Sequence, residues 1–314
     1  MRPVVQNLVN DKAISSEFVF RVGMESSGLS RKIKAGSFLV PENASMAEIS
    51  KRLTESGVST CGNQIIYRVG VTSLKIEIRD TDPNTGKMVK VGDFIFDEFA
   101  DEKINEFASE HSTRFRVALA EGVSSWQVYK ALSEIKFLLG KLENIPDEGT
   151  IAPASYDFGI GMTKAALIKK MQERQASILN EAWNARQPNL PINTKQEALI
   201  LASIIEKETS LKTERGKVSS VFVNRLLREI ALQADASVVY GITRGRKVLG
   251  RGLRRSELKK DTPWNTYVNK GLPPSPIGNP GKASINAALN PDITNYLYFV
   301  ADGSGGHAFA ENLR

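Results

Sequence analysis

The stretch Leu199-Ile200-Leu201-Ala202-Ser203-Ile204-Ile205-Glu206-Lys207-Glu208-Thr209 is apolar at nearly every position until it ends in two carboxylates. A run of Ala, Leu and Ile reads as a buried helix more readily than as a strand, and Thr194-Lys195-Gln196-Glu197 ahead of it has the capping-box pattern. It is far too short to span a bilayer. On a helix Glu206 shares a face with the small residues Ala202, Ser203, Thr209 and Ser210, which leaves room for a substrate. Glu208 falls with Ile204, Ile205 and Leu211, a less open face, where it is expected to be a structural partner to an arginine. A carboxyl at the rim of an apolar helix is partly desolvated, which raises its pKa and suits a general acid. The competing reading places both glutamates on a solvated helix end beside Lys207.

Downstream, Val218, Val221, Phe222, Arg225 and Leu226 have the spacing of a helix over Lys217 to Glu229. Leu232 to Gly281 is rich in Gly, Pro, Asn and Arg, and an irregular region of that length inside a compact domain is usually functional. Tyr296 to Val300 reads as a buried strand, and Gly303 to His307 as a glycine turn. Upstream, an amphipathic helix is expected from about Thr163 to Arg186, closed by Pro188 and Pro191. Glu148-Gly149-Thr150-Ile151-Ala152-Pro153 is linker-like, the preferred domain boundary. Ser124 can cap a helix through Leu132, after a short strand at Phe115 to Leu119. Between Ser59 and about Ser112 the pattern is β-rich: Leu74, Ile76 and Ile78 alternate with polar residues, and Asp82-Pro83-Asn84-Thr85-Gly86 is a turn signal. Ser45-Met46-Ala47-Glu48 opens a helix with Met46, Ile49 and Leu53 on one stripe that stops near Gly57, after a turn and strand over Lys34 to Pro41. Ile14 to Val22 suits a helix or a strand equally.

The 314 residues favour two domains, and 41% hydrophobic with 25% charged residues excludes wholesale disorder. A formal charge of +7 suits an anionic partner. With one cysteine, Cys61, no internal disulfide forms, and no signal peptide or membrane helix is visible, so the protein is expected either to be cytosolic or to have an anchoring segment outside this chain. His111 and His307 are the only histidines, so no metal site is expected. No Gly-x-Ser-x-Gly elbow marks a catalytic serine. The basic run from Arg244 to Lys260 contains no aromatic residue for base stacking, so nucleic acid is not the expected partner. Acid–base chemistry on a carbohydrate is the remaining option, carried by Glu206. Gln233, Asp235 and Tyr240, with Trp264, Asn265 and Tyr267, bring rings and amides of the kind that stack on and hydrogen-bond sugars.

These residues sit in a longer string of motifs. Leu201 to Thr209, Glu214-Arg215-x-Lys217-Val218, Val221 to Leu226, Leu232-Gln233-x-Asp235, Tyr240-Gly241, Asn265-Thr266-Tyr267, Gly271-Leu272-Pro273-Pro274, Asn279-Pro280-Gly281, Tyr298 to Ala301 and Gly306-His307 occur in that order. Together they resemble the membrane-anchored endolytic murein transglycosylases of the YceG-like type. The resemblance implies an α+β chain: a LysM-like domain over 1–147 with a β-rich insertion at about 59–112, then a mixed α/β catalytic domain over 148–314, with the catalytic Glu on a buried helix. It implies cleavage of peptidoglycan glycan strands between N-acetylmuramic acid and N-acetylglucosamine, leaving 1,6-anhydro ends. Glu206 would serve as acid and then base, with Gln233, Asp235, Tyr240, Asn265, Tyr267 and Glu214 binding substrate and no metal or cofactor. Also implied are a single-pass anchor absent from this chain, a place on the periplasmic face of the inner membrane, and peptidoglycan synthases (penicillin-binding proteins) as partners. Three positions depart from the pattern: Ala236 for Pro, Trp264 for Tyr and Ser275 for Gly. A non-catalytic wall-binding scaffold, or a hydrolase using a second carboxylate, are the alternatives.

Overall fold

The computed structural model describes residues 2–34, 38, 40–55, 62–82, 87–96, 100–108, 113–303 and 305–312. The expected strand at Lys34 to Pro41, the helix stop near Gly57 and the Asp82 to Gly86 turn fall largely outside them. The chain divides into two compact units, Met1–Ile66 with Ile76–Arg116, and Tyr67–Lys75 with Val117–Arg314. Residues 117–147 thus belong with the C-terminal residues, and the units part near Arg116 instead of at the expected turn after residue 147.

In the first unit, α1 (Arg2–Asn10), α2 (Glu17–Ser26) and α3 (Met46–Glu55) enclose a core of Val5, Ile14, Phe20, Met24, Ile49 and Leu53. Ser16 caps α2, so the ambiguous Ile14 to Val22 is helix from Glu17 onward. The α3 capping box is formed as expected: Ser45 N donates to Glu48 Oε2 at 2.8 Å and Glu48 N to Ser45 Oγ at 3.3 Å. Strands β1 (Gln64–Val69), β2 (Leu74–Thr81), β3 (Met88–Ile95), β4 (Arg114–Leu119) and β5 (Ser155–Phe158) pair in the order β3-β2-β1-β4-β5, and the unit division falls within β1, β2 and β4. The β-rich region also holds a helix, α4 (Ala100–Ala108).

The second unit is helical around one axis. Helix α7 (Lys195–Glu208) is buried at every position from Ala198 to Ile205, as its all-round apolar sequence requires. Its capping box is present, with Thr194 Oγ1 accepting from Glu197 N at 3.1 Å. It packs against α6 (Lys164–Asn184), α8 (Arg215–Leu227), α9 (Asp235–Thr243) and α11 (Lys282–Leu289). Ser124 caps α5 (Ser125–Glu134) as expected, and Thr163, where the next helix was expected to begin, caps α6. The stretch read as irregular from Leu232 to Gly281 contains α9 and a short α10 (Arg255–Lys259). Their Ser, Val and charged composition carries little helix signal, and tertiary burial of Ser237 and Val238 supplies what propensity lacks. Strand β6 (Tyr298–Ala301) pairs antiparallel with β7 (His307–Ala310), from Tyr298 opposite Ala310 to Ala301 opposite His307. The expectation of a buried strand there is corrected: Val300 is 63% exposed, because a two-stranded hairpin has one covered face.

A strap over Pro276 to Gly281 joins the elements around α7. Asn279, fully buried, donates from Nδ2 to Val123 O at 2.9 Å and accepts at Oδ1 from Ile151 N at 3.0 Å. Its backbone bonds Gly122 N and Val123 O as well. Ser203 Oγ on α7 accepts from Ile277 N at 3.0 Å, and Gln175 Nε2 on α6 donates to Pro280 O at 3.0 Å. Gly149 is required beneath it: its φ is +85°, and a Cβ there would lie 2.7 Å from Pro276 Cγ. Asn279→Ala leaves the buried Ile151 N–H without an acceptor, at a cost of about 1–3 kcal/mol, and also removes the side-chain bond to Val123 O. Urea unfolding monitored by circular dichroism is expected to show a loss of at least about 2 kcal/mol, and a loss below about 0.5 would contradict the strap.

Candidate active site

Glu206 and Glu208 are two residues apart on α7, so they point about 200° from one another. Their surroundings differ accordingly. The Glu206 side chain is 5% exposed. Its Oε1 accepts from Arg215 Nη2 at 3.1 Å, and its Oε2 accepts from Gly281 N, the N-cap of α11, at 2.9 Å. Arg215, on the first turn of α8, is 7% exposed and also reaches Glu121 Oε2 at 3.4 Å. Burial and the nearby Glu206 hold the Glu121 carboxyl above the usual carboxylate range. A helix N-terminus and a guanidinium are both partners for a negative group. Glu206 therefore accepts twice from fixed donors and ties α7 to α8 and α11. The open face expected beside it is filled by these groups and by Gly122, where an added Cβ would lie 3.5 Å from Glu206 Cγ.

Glu208 is the contrasting case. Burial, and then the charge of Asp235, push its carboxyl up to about 7, against smaller opposing effects of His307 and Arg225. Its Oε1 is buried with no hydrogen-bond partner among the described residues, while the residue as a whole stays partly exposed. No ion pair joins it to an arginine among the described residues, so the expectation of a structural partner gives way to a desolvated, unpaired carboxyl. The reason is that Arg225 is already committed: its Nε donates to Leu297 O and its Nη1 to Leu232 O, each at 2.7 Å.

Most of the other candidate residues group on the Glu208 side. Asp235, at the start of α9, accepts from Tyr267 OH at 2.6 Å; burial first, and then this bond, hold the phenol well above its ordinary pKa. Glu214, at the N-cap of α8, accepts from His307 N at 2.9 Å and pairs with His307 Nδ1 at 2.7 Å; these bonds hold its carboxyl below the usual range. Gln233 is exposed next to Asp235 and has φ +52°, a left-handed backbone fixed by its N–H to Thr266 O at 3.0 Å. Two candidates lie elsewhere. Asn265 is fully buried, with Nδ2 directed at Glu257 O, Leu258 O and Lys260 O and Oδ1 accepting from Tyr267 N. That geometry organises the loop and leaves nothing for a substrate, which corrects the expectation of a binding residue. Tyr240 donates to Glu148 Oε2 at 3.0 Å and packs beside Trp264, their ring centroids 6.1 Å apart. Two departures from the family pattern meet there: Trp264 Nε1 donates to Ser275 Oγ at 3.1 Å. His307, Arg225 and Glu121 were missed as members of the network. Gly306-His307 stood in the motif string, but a hairpin contact across about ninety residues leaves no periodic signal.

A desolvated carboxyl whose pKa is raised toward neutrality, within electrostatic reach of Asp235 and His307, is suited to proton transfer to a polar substrate. The YceG-like family matches residues 1–314, and the chain belongs to that family. It is 37% identical over 170 residues to the endolytic murein transglycosylase of Bacillus subtilis, a match covering 54% of this chain and 46% of that protein. To the protein of the same name from Streptococcus pneumoniae it is 32% identical over 171 residues, covering 52% of this chain and 30% of the relative. The matched region thus spans less than half the length of these relatives. A crystal structure of a YceG-like protein from Listeria monocytogenes aligns over 99% of this chain and 92% of its own, with a TM-score of 0.51 and 22% identity, a likeness of fold.

The two glutamates are expected to respond oppositely. Glu206→Ala leaves the buried Arg215 with only the longer contact to Glu121 and should cost about 3 kcal/mol in denaturant unfolding. For Glu208 the folded state binds its proton more tightly than the unfolded chain, so its contribution to stability falls as pH rises from about 4.5 to about 7. Glu208→Gln should therefore gain stability relative to the unmutated protein over that window, read as a rising difference in Tm. A pH-independent difference would contradict the assignment.

Proposed function

We propose that the protein is a lytic transglycosylase that cleaves the bond between N-acetylmuramic acid and N-acetylglucosamine in peptidoglycan strands, with Glu208 as the acid. The observation that carries the reading is the raised carboxyl of Glu208, with an unpartnered oxygen among the described residues and within electrostatic reach of Asp235 and Tyr267. The names of the relatives support the substrate class. The Glu208 carboxylic acid gives its proton to the glycosidic oxygen as the bond to C1 breaks. The resulting carboxylate takes the proton of the sugar's own C6 hydroxyl, whose oxygen bonds C1 and closes the 1,6-anhydro ring. No water is consumed, and the acid is restored for the next cycle. Asp235, fixed by Tyr267, and His307, fixed by Glu214, border this acid and orient the strand. Glu206, which the family resemblance assigned to the acid, is in this reading the anchor that holds α7 in phase.

Asp235 within electrostatic reach of Glu208 also favours a second reading, hydrolysis by a carboxylate pair, since a hydrolase needs two acids across the scissile bond. The products separate the two: anhydro ends for transglycosylation, reducing ends for hydrolysis. A LysM-like N-terminal part, a site of action at the outer face of the inner membrane, a role in cell division and an association with peptidoglycan synthases complete the proposal. They follow from the resemblance alone.

Digestion of purified sacculi with product mass spectrometry tests the assignment. Glu208→Gln should lower anhydro-muropeptide release at least about a hundredfold, the scale on which a general acid contributes. In the unmutated protein the rate should fall as pH rises through about 7, because the protonated form is the active one. Undiminished release by Glu208→Gln would refute the role.

A further inference from the structure

A second cleft of the C-terminal unit, of about 720 Å³, opens beside Glu148. Glu208, Asp235 and Tyr267 do not line it. Its walls carry three part-exposed aromatic side chains, Trp126, Tyr240 and Trp264, together with Arg244 and Arg246. The volume falls in the range of small-molecule sites. The walls are fixed before any ligand arrives: Tyr240 OH donates to Glu148 Oε2, and Trp264 Nε1 donates to Ser275 Oγ. Arg244 sits in the left-handed conformation that ends α9, with its guanidinium 3.6 Å from the Trp264 ring centroid. Stacking fixes the plane of the guanidinium and leaves its N–H edge free to bond.

Neither Arg244 nor Arg246 forms an ion pair among the described residues. The acids lining the cleft are Asp147 and Glu148, and Glu148 already accepts from Ser125 N at 2.7 Å and from Tyr240. Two unpaired guanidinium groups, aromatic rings that stack on the C–H faces of a sugar, and the Gln196 amide for its hydroxyls are found together. From this we infer that the cleft is a second binding site, separate from Glu208, for a saccharide bearing an anionic substituent, carboxylate or phosphate. Arg244 and Arg246 take the anion, and Trp126 and Tyr240 contact the ring. The site does not depend on which reaction Glu208 carries out.

Tryptophan fluorescence tests it, because Trp126 and Trp264 are two of the chain's three tryptophans. The third, Trp183, is replaced by Phe, and none of the probes contains a bond from N-acetylmuramic acid C1 to N-acetylglucosamine, so that failure of the cleavage reading leaves the result untouched. The probes are the N-acetylglucosaminyl–N-acetylmuramic acid disaccharide, N-acetylglucosamine 1-phosphate, and neutral chitobiose. A saturable change is expected, with one or both anionic sugars bound about tenfold more tightly than chitobiose, which identifies carboxylate or phosphate as the recognised group. Arg244→Gln with Arg246→Gln should abolish that preference, and Trp126→Ala should weaken every probe. Arg246→Gln alone serves if circular dichroism shows the double variant unfolded. No saturable change with any probe, chitobiose bound as tightly as the anions, or a preference that survives loss of the arginines overturns the inference.

Discussion

The buried pair between Glu206 and Arg215 sets the rotation of α7, and the site depends on that rotation. Removing either charge would strand the other in a place with almost no access to water, so the pair is held by the cost of breaking it more than by its net strength. Gly281 N adds a donor from the start of α11, where the helix end favours a negative group. With Glu206 fixed inward between α8 and α11, helical geometry turns Glu208 toward α9 and the β6–β7 hairpin. The two carboxylates therefore differ in environment: Glu206 is hydrogen-bonded by fixed donors, and Glu208 is desolvated with an unpartnered oxygen among the described residues.

The strap from Pro276 to Gly281 extends this constraint. It meets α7 through Ser203 and Glu206, α6 through Gln175, and the 121–125 and 148–151 turns through Asn279. Side chains of zero or near-zero exposure make these bonds, so the strap behaves as part of the core although it contains no regular structure. Rigid support of this kind keeps an acid within the small tolerance that proton transfer needs.

Helix-forming signals in the sequence were legible wherever a cap and an apolar period coincided, as at Ser45, Ser124 and Thr194. They failed for α9 and α11, whose short Ser- and Ala-containing runs fold because neighbours bury them. Of the candidate site, Asp235, Tyr267 and Glu214 were singled out from residue type and motif; Asp235 is bonded to Tyr267, and Glu214 to His307. The choice between Glu206 and Glu208 was not legible. Small residues at three and four positions away suggested space beside Glu206, but Arg215 and Gly281, brought in by the tertiary fold, occupy it. Asn265 misled for a related reason: an amide between aromatics suits a sugar, yet equally suits three loop carbonyls.

Carboxyl-detected NMR of the protein labelled at glutamate Cδ tests the central claim most directly. One glutamate should titrate near pH 7, and its signal should vanish in Glu208→Gln while surviving in Glu206→Gln. Titration of every glutamate in the ordinary range of about 4 to 5, or a neutral-range titration lost instead on replacing Glu206, would contradict the account.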